Sequence, residues 1–354
     1  MQIAGLGRVR QKCWLVLVFL VVLGVQTVLG APLKFVLLHT GDTHGHVLSQ
    51  PDALATETPK PMVGGFPLLQ TVVDRIRLEA LREGAKPLLL DSGDYFQGTP
   101  IDLESSGSVM IDFMNQLRYV TAGIGNHDFD YSPERLKALI KKARFPIVCA
   151  NLFETRTKQL LAGTRTHIMF SWKGMKLAIV GVIDPDTPSI SLAENMVGLE
   201  FRQPAPILKK LLPELRQKGA DAIILLSHLG LEKDRKLVQE IEGIDVILGG
   251  HSHSEMSTIE YSGPFLTPLI HPGFDCRRVS RVDLILEKNQ KPQISFKSIF
   301  LTEATTIPDP ELQALGQKYL EKISSKIKEV LGQSKVELFR GVIGGDSPEG
   351  SYVA

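Results

Sequence analysis

The chain of 354 residues carries 40 lysines and arginines against 39 aspartates and glutamates, so no basic excess points to nucleic acid. With 43% hydrophobic and 22% charged residues it reads as an ordinary folded protein, not a disordered or fibrous one. The length sets a soft expectation of about two domains.

The first thirty residues stand apart. Arg8, Arg10 and Lys12 precede an uncharged apolar run from Trp14 to Val25, and the small Gly30 stands just before Ala31. This is the three-part pattern of a secretory signal cut after Gly30, and the run is short for a membrane span. The expectation is an exported protein, periplasmic or extracellular, without a stable membrane anchor; a buried helix or an uncleaved anchor is the alternative. Two cysteines follow the leader, Cys149 in an apolar strand and Cys276. Two make no disulfide framework, and a buried thiol is expected at Cys149.

From Phe35 onward short apolar runs alternate with amphipathic stretches. Phe35–Leu38, Pro87–Leu90, Pro146–Ala150, Leu177–Val182, Ala222–Leu226 and Asp245–Leu248 read as buried strands. Leu69, Val72, Val73 and Ile76 share one helical face, as do Ile207, Leu208, Leu211, Leu212 and Leu215. The alternation predicts a layered α/β fold. After about residue 260 the pattern changes to strands, Val282–Leu286 and Ile294–Phe300, followed by one long helix. Leu312, Leu315, Tyr319, Ile323, Ile327 and Val330 mark its face, and Gly332 follows its end.

Five polar segments each follow a predicted strand: Asp42-Thr-His44, Gly93-Asp94, Gly125-Asn126-His127-Asp128-Phe129-Asp130, Ser227-His228 and Gly249-Gly250-His251-Ser252-His253. Open α/β folds place ligand sites beyond the carboxyl ends of their strands, so these loops are expected to converge. Imidazole and carboxylate are good ligands for divalent cations such as Zn or Mn. A lone carboxylate such as Asp94 can bridge two cations, and two cations roughly 3.5–4 Å apart can clamp a phosphoryl group in transfer. His39, His46, His167 and His271 are read as packing or surface histidines, and Tyr95 and Phe96 as core.

Asp42-x-His44, Gly93-Asp94, Gly125-Asn126-His127-Asp128, His228 and Gly250-His251-x-His253, in this order, resemble the motif series of the calcineurin-like metallophosphoesterases. Gln97-Gly98-Thr99, Phe129-Asp130 and Gly64-Gly65-Phe66 look like its 5'-nucleotidase branch. The resemblance implies an α/β/β/α sandwich of four layers with two mixed sheets. It implies that Asp42, His44 and His253 hold one divalent metal ion, that Asn126, His228 and His251 hold a second, and that Asp94 bridges them. His127 and Asp130 resemble the family's catalytic dyad, and Asn126 and His127 would meet the substrate.

The resemblance also implies an organisation. Residues 1–30 form the signal peptide, 31–308 the catalytic domain, 309–332 a linking helix, and 333–354 the start of a further domain, whose base- and ribose-recognising residues are not in this sequence. The expected activity is hydrolysis of nucleoside 5'-monophosphates. UDP-sugar hydrolysis and 2',3'-cyclic nucleotide hydrolysis are alternatives within the family, and a non-catalytic ligand-binding protein is the alternative outside the enzymes. The expected partner is a small phosphoester such as a nucleotide.

Overall fold

A computed structural model describes residues 32–327. The expected signal peptide, the last residues of the long helix and the segment 333–354 lie outside the described residues.

The strand Leu33–Thr40 shows how the layers form. Its side chains alternate, Phe35 and Leu37 facing one way and Val36 and Leu38 the other, and all four are fully buried. A strand buried on both faces needs a cover on each. On one side lie the helices Phe66–Arg82, Ser108–Leu117 and Pro133–Lys142, whose buried faces join Val36 and Leu38 in one cluster. On the other lies a second sheet, reached through Leu177, Ile179, Ile224, Leu226, Val246 and Leu248. The far face of that sheet is covered by the helices Pro204–Gln217 and Leu231–Glu240. The result is the expected four layers.

Burying each large apolar side chain between the sheets contributes about 1.5–3 kcal/mol, against about 0–1 kcal/mol for an exposed ion pair. The apolar layer, not surface pairs such as Lys34–Glu83, therefore holds the sheets together.

The first sheet has seven strands in the order Gln293–Phe300, Arg278–Leu286, Leu33–Thr40, Lys86–Asp91, Thr121–Ala122, Ile147–Val148 and Thr164–Arg165. The second has six, in the order Glu260–Ser262, Thr267–Ile270, Val246–Gly249, Ala222–His228, Met175–Ile183 and His167–Trp172. Both are mixed. The central pairs are parallel, with registers Thr40↔Asp91, Ile183↔His228 and Ser227↔Gly249. Parallel pairing brings the carboxyl ends of these strands to one rim.

The sheets meet closely where Met175–Ile183 passes the short strand Ile147–Val148. The amide of Ala150 donates to the Gly181 carbonyl at 2.7 Å. A β-carbon on Gly181 would lie 2.1 Å from the Val148 carbonyl oxygen, so only glycine fits.

The predicted run Pro146–Ala150 is a ladder over two residues only. The long helix begins at Pro310 and is described to Ile327, with Leu312 and Ile323 buried and the Tyr319 hydroxyl donating to Asp112 at 2.8 Å. His167 lies on an edge strand, as expected there, but is half-buried with Nδ1 2.8 Å from Thr166 Oγ1 instead of exposed. Cys149 and Cys276 are buried free thiols. Among the described residues no helix is long and apolar enough to cross a membrane.

Candidate metal centre

The polar segments gather on the shared rim. Asp42 and His44 follow the strand Leu33–Thr40, and Asp94 follows Lys86–Asp91. Asn126 and His127 come shortly after Thr121–Ala122, His228 ends Ala222–His228, and His251 and His253 follow Val246–Gly249. Two groups of ligating atoms form. One joins Asp42, His44 and His253, the other Asp94, His228 and His251, and within each the atoms lie within 4.8 Å of one another.

The backbone is bent to achieve this. Asp42, His44, Asp94, His251 and His253 all have φ between 45° and 76°. Each non-glycine residue held there costs about 1–2 kcal/mol, and such strain collects at functional sites. Gly125 is required for a different reason: a β-carbon on it would stand 2.1 Å from Asp94 Oδ1. Gly93, with φ 102°, packs on the Gly125 amide, which would stand 2.5 Å from a β-carbon there.

Hydrogen bonds fix which atoms are presented. His44 Nδ1 lies 3.1 Å from the Gln97 carbonyl and His228 Nδ1 lies 3.0 Å from the Ser92 carbonyl. A carbonyl accepts only, so each Nδ1 carries a proton and each Nε2 is the nitrogen turned to the cluster. His44 Nε2 faces His253 Nε2 at 3.0 Å. Two lone pairs at that distance repel unless a proton or a cation lies between them. His228 Nε2 stands 3.0 Å from Asp94 Oδ2, yet that nitrogen and Asn126 Oδ1 are buried without an aligned hydrogen-bond partner. Asp42 accepts the His251 amide on both oxygens, at 2.9 and 3.0 Å, and Asp94 Oδ1 accepts the His127 amide at 2.8 Å.

The charge balance points the same way. Asp42, Asp91, Asp94 and Asp128 are all within 1% of full burial. Burial pushes Asp42 up to about 8, and it pushes Asp91 up to about 7. Burial works to lower His228, but Asp94 and Asp42 overcome it and hold the ring up to about 10. Crowded acids in a dry site favour positive charge beside them. His251 and His253 are pushed down to about 4 by burial, which keeps them in the neutral form that ligates. Orphaned lone pairs, excess buried carboxylate and neutral imidazoles together fit divalent cations.

His127 sits at the edge of the cluster. Its ring centroid is 5.3 Å from that of His44, and its side chain is 37% exposed, open to a bound molecule. Nδ1 is 2.7 Å from Asp130 Oδ2. That hydrogen bond, against partial burial, raises the ring to about 8. The Asn195 side chain donates to the Asp130 carbonyl at 3.2 Å and anchors this turn.

The reading from sequence gave Asp128 no role. Its carboxylate accepts the amides of Gly125 at 2.7 Å, Asp94 at 3.1 Å and Tyr95 at 3.0 Å, joining two ligand loops. Its place in Gly-Asn-His-Asp was the available signal. Thr99 similarly ties Gln97-Gly98-Thr99 to the first loop by donating to the Gly45 carbonyl at 2.7 Å. His39 is buried, and His46 pairs with Asp275 at 3.2 Å. His271 is buried against Asp234 at 3.0 Å, a packing role as expected. Tyr95 and Phe96 are core. A cavity of about 660 Å³ opens at the opposite strand ends, beside Arg216, Asp245, Tyr261 and Phe265, and holds none of the candidate ligands.

The sequence profile described as calcineurin-like phosphoesterase matches residues 35–255. The human 5'-nucleotidase (Homo sapiens) is 32% identical over 232 residues, which are 64% of this chain and 39% of that protein. The bovine 5'-nucleotidase (Bos taurus) is 29% identical over 330 residues, 87% of this chain and 56% of that one. The chain thus spans about half or less of the length of these relatives. The crystal structure of a 5'-nucleotidase precursor from Thermus thermophilus superimposes with a TM-score of 0.76 at 28% identity, over 86% of this chain and 62% of that chain.

Proposed function

The chain belongs to the calcineurin-like phosphoesterase family; from that premise we propose that it is a metal-dependent phosphoester hydrolase that converts nucleoside 5'-monophosphates to nucleoside and phosphate with two divalent cations. The observation that carries the proposal is the pair of ligand groups packed side by side, His228 Nε2 of one lying 3.9 Å from Asp42 Oδ1 of the other and 3.0 Å from Asp94 Oδ2. In this reading Asp42, His44, His253 and Asp94 would hold one cation, and Asp94, Asn126, His228 and His251 would hold the other. When bound, two such cations neutralise phosphate oxygens and clamp the attacking and leaving oxygens.

The chain's own residues do the rest. Asp130 takes the Nδ1 proton of His127 as a hydrogen bond and keeps the ring cationic near neutral pH. The exposed Nε2–H then faces the substrate, where it stabilises charge on the phosphoryl group and supplies a proton to the departing 5' oxygen. The Asn126 amide lies next to it and meets the same phosphate. In this reading residues 31–308 are the catalytic unit, and the helix that starts at Pro310 packs on it through Leu312 and Ile323. The basic start and apolar run before Ala31 support export.

The test is a panel of AMP, UDP-glucose, a 2',3'-cyclic nucleotide and p-nitrophenyl phosphate, offered to the chain with Mn²⁺ or Zn²⁺. Phosphate release fastest from AMP is expected. Turnover of UDP-glucose or the cyclic nucleotide with none of AMP would overturn the substrate assignment while leaving the phosphoesterase standing.

A further inference from the structure

We propose that Asp184, held in place by Lys233, is a positioning residue that orients His251 and sets the affinity of the second cation site. The proposal rests on the two-cation reading and goes beyond it, because Asp184 belongs to neither ligand group.

A histidine ligand has two nitrogens. The one that binds must be bare, so the other carries the proton and needs an acceptor, or tautomer and ring angle are left free. His44 and His228 meet this need with the carbonyls of Gln97 and Ser92, and so bind through Nε2. His251 is served differently. Its Nε2 lies 3.5 Å from Asp184 Oδ2. With Nε2 turned to that carboxylate, Nδ1 is the nitrogen left to ligate.

Asp184 is built for a fixed task. It is 2% exposed, just beyond the strand Met175–Ile183, and its amide donates to the His228 carbonyl at 3.0 Å. The residue that steers one ligand of the second group is thus registered on the strand that carries another. A buried carboxylate needs compensation. Lys233 Nζ donates to both of its oxygens, at 2.7 and 2.8 Å, and to Asp186 at 2.6 Å. The Asp186 amide donates to Asp184 Oδ1 at 3.0 Å. These bonds hold one carboxylate oxygen in the pair and leave Oδ2 shared between Lys233 and the imidazole. Lys233 reaches in from the helix Leu231–Glu240, which follows His228, so the assembly links ring, acid and surface.

The experiment is a calorimetric titration of the chelated full chain with Mn²⁺, with His44→Ala used to assign the first site. Wild type is expected to take up two ions. In Asp184→Ala the second-site affinity should fall about 10–100-fold, the usual cost of losing such a partner, with the first site within about twofold. Asp184→Asn, which keeps an acceptor for the ring N–H, should recover part of the loss. Lys233→Met, a substitution at a half-exposed position, should weaken the second site in the same sense and Lys233→Arg should not; this pair carries the test if Asp184→Ala does not fold. Equal weakening of both sites, or an unchanged second site in the folded variants, overturns the proposal. A wild type that takes up fewer than two ions overturns the two-cation reading itself.

Discussion

At the scale of single residues the site is a contest between burial and charge. His127 owes its raised pKa to Asp130, so removing the ring should remove a proton source without removing a cation. His127→Ala is expected to lower kcat on AMP by about 10²–10⁴-fold while metal content is retained. Loss of metal with unchanged turnover per bound ion would contradict that role. Asp128 makes a different claim. It accepts four buried amides from two loops, and each donor left unpaired costs about 1–3 kcal/mol. Asp128→Ala is therefore expected to lower the thermal midpoint by several degrees and to weaken metal binding, although Asp128 touches no cation in this reading. An unchanged midpoint would mean that water replaces the carboxylate at no cost.

At the scale of elements, the sequence was legible where a run was long and its surroundings uniform. Leu33–Thr40, Met175–Ile183 and Ala222–His228 are buried on both faces, so their apolar runs stand out. Thr121–Ala122 and Thr164–Arg165 are two residues each, too short to show a period. The candidate ligands were legible because rare, chemistry-bearing side chains recur at strand ends. Asp128 and Asp184 were not, because an aspartate's role depends on which amides and amines the fold brings to it. Gly181 is similar: nothing local to it announces that another sheet's carbonyl lies 2.1 Å from its absent β-carbon. Overpacking of this kind costs about 1–3 kcal/mol. Gly181→Ala should thus lower stability in denaturant by that amount without changing the slope, and a neutral result would show that the sheets can part there freely.

At the scale of the whole molecule, each half supplies candidate ligands that the other lacks. The first sheet carries Asp42, His44, Asp94 and Asn126, and the second carries His228, His251 and His253. Neither sheet alone holds a full set for either cation. The apolar layer between them fixes the distance between the two sets. Phosphoester hydrolysis by this chain is expected to depend on two cations that Asp94 would share. The most direct test follows phosphate release from AMP by the chelated chain as Mn²⁺ is added. No release without metal, little at one equivalent, and full recovery as the second binds is the expected course. Release from the metal-free chain, or full recovery at one equivalent, would contradict the claim.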